Sequence, residues 1–151
     1  MPEMVPLPEI TWRDVRQTPD DGNRYEAIEG ELYPTPAPSV RHQTVSERLE
    51  RALYRLLEDP GHGQVFHAPV GVEFPATGEG VQPDIVFVSR ERRGIVAEYW
   101  IVDPDAGAVE AWRFGADRVV DRHARFTETL PVLVSGTRTR EIDLRKVFAA
   151  S

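Results

Sequence analysis

Apolar residues return along this chain at two different periods, and the change of period marks its elements. Val45, Leu49, Ala52, Leu53, Leu56 and Leu57 recur at the helical period. They predict one amphipathic helix that opens at Ser39, a candidate N-cap, and runs to Glu58 before Pro60-Gly61 stops it. The strand period dominates elsewhere. Arg24 to Tyr33 reads as two short strands around Glu29-Gly30, because glycine takes the positive φ that such a turn needs. Tyr25, Ala27 and Ile28 cannot all share one face of the first strand.

Val65 to Phe74 reads as a strand in which Val70, Val72 and Phe74 alternate with Gly71 and Glu73. Thr77-Gly78-Glu79-Gly80 then turns it into Val81 to Ser89, and the two form a hairpin. Glu98 to Asp103 and Ala108 to Phe114 flank Pro104-Asp105-Ala106-Gly107 as a second hairpin. Arg118 to Asp121 suggests a further strand with His123 exposed, and Glu141 to Phe148 a closing strand or helical turn. Near the start, Thr11 with Asp14 three residues on predicts a capped short helix through Gln17, ended by Pro19-Asp20-Asp21-Gly22. Pro34 to Pro38 is a stiff connector that cannot join a central strand.

A length of 151 residues predicts one domain spanning 1–151. No run approaches the roughly eighteen apolar residues that a membrane helix needs, and Met1 to Pro8 has no secretory pattern, so the expected location is the cytoplasm. With no cysteine in the chain, any metal must be held by oxygen or imidazole. A net charge of −7 argues against a passive nucleic-acid binder, though not against an enzyme acting on DNA. The charge is also uneven. Residues 1–38 hold three arginines against eight acids, whereas residues 113–146 hold eight basic against five acidic side chains. One end could face phosphate while the other supplies carboxylates. No glycine-rich phosphate loop or serine elbow supports nucleotide or serine hydrolysis.

Asp84 is the residue around which the candidate chemistry gathers. It stands behind Pro83, which has no N–H for a sheet, at the entrance of the apolar run Ile85 to Val88. An ionised carboxylate there needs a cation, a metal or several donors, or else closes a turn on its own backbone. On the first hairpin, Glu26 and Glu31 either share a cation or are two solvated strand acids. His42 stands in the first helical turn, near free N–H groups that favour anions, with a structural role as the alternative.

Four stretches in order resemble a known family: Arg24 to Leu32, Pro38 to Gln43, Val81 to Ser89 and Glu98 to Pro104. It is the Uma-two type putative restriction endonuclease family of the PD-(D/E)XK nuclease superfamily. The resemblance implies an α/β (α+β) core, a mixed sheet flanked by helices, with a divalent-metal site at its strand ends. It implies that Asp84 binds Mg²⁺ or Mn²⁺, that Glu31 is a second metal candidate, and that Glu26 and His42 line the site. DNA is the implied substrate, and a homodimer is an expected assembly.

One departure matters. Family members reach the Glu-Tyr-Trp strand through a second acid-bearing strand and a basic helix, whereas this chain runs from Gly94-Ile95-Val96 through Ala97 to Glu98. The difference amounts to about thirty to forty residues, the size of a strand and crossover helix. It would contain the second metal-binding acid and the catalytic basic residue, for which Lys146, the chain's single lysine, is poorly placed. Two readings follow: a metal-dependent endonuclease with a segment missing between Val96 and Glu98, or an inactive scaffold, oligomerisation or DNA-binding relative.

Overall fold

The computed structural model describes residues 8–91, 98–115, 117, 119–134 and 138–150. It is of the α+β class, with several antiparallel sheets and few helices, and it divides into two compact units. The junction from Gly94 to Ala97, and Arg118 of the further strand expected there, lie outside the described residues.

The first unit comprises Met1–Pro38 and His67–Val86. Its short helix α1 (Trp12–Val15) starts where expected and ends sooner. The Asp14 carboxylate accepts from both the N–H (2.8 Å) and the hydroxyl (2.9 Å) of Thr11. Strands β1 (Arg24–Ile28) and β2 (Glu31–Thr35) form the expected hairpin. Its two-residue turn has positive φ at Glu29 (51°) and Gly30 (76°), which matches the twist of the strands it joins. Pro34 is tolerated because β2 is an edge strand.

Trp12, Val15 and Ala27 are buried together, with Ile10, Tyr25 and Leu32 packed around them. Tyr25 and Ala27 thus face the core, while Arg24, Glu26 and Ile28 take the other face, as the strand period requires.

The hairpin expected over Val65 to Ser89 is built differently. Strand β3 (Gly63–His67) ends before Pro69, and β4 (Val72–Phe74) pairs with β5 (Glu79–Val81), completing the four-stranded order β2-β1-β5-β4. The Asp84 strand is a separate element, β6 (Ile85–Ser89), which pairs with β3. The cause is chemical: Pro69 and Pro83 offer no N–H, so neither expected long strand can run through them. β6 is half-buried along its whole length rather than sunk in a core.

The second unit comprises Ser39–Phe66 and Phe87–Ser151, so the division falls within β3 and β6. Its main helix α2 (Val40–Leu53) is capped by the Ser39 hydroxyl, which accepts from the His42 N–H at 3.2 Å. The helix continues as a π-helical turn, Tyr54–Glu58, closed by the bond from the Asp59 N–H to the Tyr54 carbonyl (2.8 Å). Val45, Leu49, Leu53 and Leu57 are its buried stripe.

Strands β7 (Glu98–Asp103), β8 (Ala108–Phe114) and β9 (Val120–Phe126) form an antiparallel sheet in that order. Strands β10 (Thr129–Val134) and β11 (Arg138–Asp143) form another. The tail is both things expected of it, strand β11 and then the turn of helix α3 (Leu144–Val147) capped by Asp143.

Candidate functional site

Gln82 shows why the first unit gathers polar groups at the mouth of β6. The pairing of β1 with β5 runs out at Val81, and Pro83 follows, so the Gln82 backbone has no strand partner of the ordinary kind. Side chains of β1 take its place. The Glu26 carboxylate accepts the Gln82 N–H at 2.9 Å, and the Arg24 guanidinium donates to the Gln82 carbonyl at 3.2 Å. The Gln82 amide in turn donates to the Tyr25 carbonyl at 3.3 Å.

The same Arg24 nitrogen lies 2.6 Å from Asp84 Oδ1, a charge-assisted bond. The cation that Asp84 requires is therefore Arg24, two residues from Glu26 on the same face of β1. The Asp84 carbonyl accepts from the Ala68 N–H at 2.9 Å, which fixes the backbone beneath the carboxylate.

The other expected residues lie as follows. Register places Glu31 on the face of Glu26, since Glu26 stands opposite Tyr33 and Glu31 opposite Ile28. Its carboxylate accepts from the Tyr33 hydroxyl at 3.0 Å, which holds the Tyr33 proton more tightly than usual. His42 is half-buried in the first turn of α2 and belongs to the second unit. Asp84 and Glu26 are thus joined through Arg24 and Gln82. Arg24 and Gln82 were not singled out from the sequence, although the demand of Asp84 for a cation was a usable signal.

The donor chemistry suits a hard divalent cation. Mg²⁺ commonly takes one or two protein carboxylates and completes its shell with water and phosphate oxygens, and Asp84 and Glu26 are of that kind. Among the described residues, no three His, Cys, Asp or Glu side chains come together as a metal cluster. A cation here would lean on these two acids and on its substrate.

In the second unit, Glu98 opens β7 as a half-buried acid. Burial pushes its carboxyl above the usual carboxylate range, against the opposing effects of Trp100 and then of Arg113, whose Nη2 lies 3.9 Å away. On β9, the exposed His123 stacks on Trp112 with ring centres 4.3 Å apart, and its Nε2 is 3.3 Å from Glu110.

A family model described as Uma2, "Putative restriction endonuclease", matches residues 12–98, more than half of the chain and the whole span from α1 to the first residue of β7. The chain belongs to the Uma2 family. Both Arg24 and Asp84 fall within the matched span of this Uma2 chain. A crystal structure titled as a putative nuclease belonging to DUF820 from Anabaena variabilis shares its fold, with a TM-score of 0.70 at 15% identity, over 93% of this chain and 98% of that one. No curated protein matches the Uma2 chain. No helix among its described residues is long and apolar enough to cross a membrane.

Proposed function

We propose that this Uma2 chain is a metal-dependent DNA endonuclease domain of the PD-(D/E)XK type, with its site at the mouth of β6. The carrying observation is the linkage of Asp84 to Glu26 through Arg24 and Gln82, inside the span that defines the family. The reaction is phosphodiester hydrolysis: water adds to phosphorus, and the bond to one ester oxygen breaks.

In this reading Asp84 and Glu26 would hold Mg²⁺ or Mn²⁺, whose charge would offset that of the phosphate and favour loss of a proton from water. Glu26 keeps the Gln82 backbone in place at the same time, so its second carboxylate oxygen is the one offered to the cation. Glu31 is the supporting candidate in this unit, as a further acid on the same strand face, while His42, in the second unit, is a candidate by family resemblance alone. The chain acts as one functional domain in the cytoplasm, where DNA is accessible, and a homodimer is the expected assembly.

The test is plasmid nicking with Mg²⁺ or Mn²⁺. Asp84→Ala is expected to lower the rate by about two orders of magnitude or more while circular dichroism stays that of the native chain. An Asp84→Ala protein that cuts as fast as the parent would remove the assignment.

A second reading, an inactive scaffold or DNA-binding relative, is favoured by one observation. Among the described residues, no three His, Cys, Asp or Glu side chains gather as a ready metal cluster. It predicts no cleavage with either metal, and a chain whose assembly, read by light scattering, is its function.

A further inference from the structure

The Arg24–Asp84 pair is an unusual use of a proposed metal ligand, because a cation already occupies its oxygen. Arg24 Nη1 sits 2.6 Å from Asp84 Oδ1 and also donates to the Gln82 carbonyl, so the guanidinium lies where a metal bound to Asp84 would bring its charge. Both side chains are partly open to water, Arg24 at 23% and Asp84 at 39% of full exposure. A pair so exposed is worth at most about fivefold in an equilibrium. A divalent ion at the same carboxylate has twice the charge and can displace it.

We propose that Arg24 is an exchangeable counter-cation. It neutralises Asp84 when no metal is present, yields the oxygen when a divalent ion binds, and then offers its guanidinium to a phosphate oxygen of the nucleic acid. This rests on the reading of Asp84 as a metal ligand and adds a regulated occupant to that site. Arginine suits both tasks, since its planar fork pairs equally with carboxylate and phosphate and never loses its charge. The exchange keeps Asp84 itself paired with a cation in both states, which an acid standing alone at a strand mouth would not be.

The two tasks have opposite signs in one substitution. In calorimetric titration with Mn²⁺ alone, Arg24→Gln should bind the ion about threefold to fivefold more tightly than the parent, because the competitor is gone. In Ca²⁺, the same variant should bind a short DNA duplex more weakly, with the slope of log affinity against log salt reduced by about one. A residue that only supports the fold would move both affinities the same way or neither. Unchanged or weaker Mn²⁺ binding in Arg24→Gln would overturn the exchange, and an unchanged DNA slope would overturn the phosphate role.

Asp84→Asn separates this from the underlying reading. If Asp84→Asn abolishes Mn²⁺ binding while Arg24→Gln changes nothing, only the exchange fails. If Mn²⁺ still binds as in the parent, the metal assignment fails with it. The unmodified protein gives an independent readout should Arg24→Gln not fold. Phenylglyoxal should modify Arg24 faster with Mn²⁺ present than without, by mass-spectrometric peptide mapping, and equal rates would overturn the proposal.

Discussion

Glu98 and Asp14 answer to pH in opposite directions, and each does so for a reason visible at its own carboxylate. Burial raises Glu98, so the folded chain prefers it protonated; that stability is present below the ordinary glutamate range and is lost as pH rises through the raised value. Glu98→Gln should therefore gain in melting temperature over the parent at pH 7, and the gain should shrink as pH falls into the carboxylate range. An equal difference at both ends would show that burial is not the cause. Asp14 is lowered, first by the Thr11 N–H and then by the Thr11 hydroxyl. Its contribution is present above the ordinary aspartate range and is lost as pH falls through the lowered value. Acid titration of Asp14→Asn should thus show a shallower loss of stability than the parent on the acid side. The two slopes differ because burial outweighs the Trp100 and Arg113 contributions at Glu98, whereas the two Thr11 donors outweigh burial at the exposed Asp14.

At the scale of elements, α1 is held on its sheet by the absence of side chains beneath it. A Cβ on Gly80 would stand 2.2 Å from the Trp12 ring, and one on Gly71 2.3 Å. Ala27, the partner of Gly80 across the β1–β5 pair, is fully buried under the same indole. Gly80→Ala should cost about 1 to 3 kcal/mol by urea denaturation, as overpacking does, and a neutral result would mean that the helix shifts freely. The α2 anchoring is comparable: Arg41 donates to the Phe148 carbonyl at 2.9 Å and Arg48 to that of Ala149 at 2.6 Å, closing the chain end beyond α3. Arg48→Ala should lower stability by about 1 kcal/mol or more in the same assay, since such carbonyls lose a charged donor. Much of this level was legible in the sequence. The Thr11/Asp14 cap, the Glu29-Gly30 turn, the stripe of α2 and the β7–β8 hairpin each depend on neighbours a few residues away. What was not legible depends on distant partners. Nothing local said that β6 would pair with β3, that Gly80 was a floor for Trp12, or that α2 arginines would reach the tail. The site shows the same split, for Asp84 and Glu26 were legible as acids in place, while their link required Arg24 and Gln82 from the two sides of one sheet pairing.

For the whole molecule, charge decides what DNA binding can look like. The chain carries −7 overall, so a duplex approaching it without divalent ions meets net repulsion, and any attraction must come from local arginines. Those concentrate toward the C-terminal part, where residues 113–146 hold eight basic side chains against five acids, while residues 1–38 hold eight acids against three arginines. If the proposed nuclease reading holds, metal ions would have to supply part of the neutralisation that Lys and Arg supply in a basic DNA binder. Fluorescence anisotropy with a labelled duplex should therefore show weak binding in EDTA and at least about tenfold tighter binding when Ca²⁺ is added, which bridges carboxylate and phosphate oxygens. Adding monovalent salt in Ca²⁺ should give a shallow slope, because only a few phosphates meet arginines directly. Tight binding in EDTA with a steep salt dependence would instead place the affinity in the basic C-terminal part and separate it from Asp84. Asp84→Ala distinguishes the two on the same instrument: it should abolish the Ca²⁺ effect if the cation sits at the mouth of β6, and leave it whole if the ion binds elsewhere.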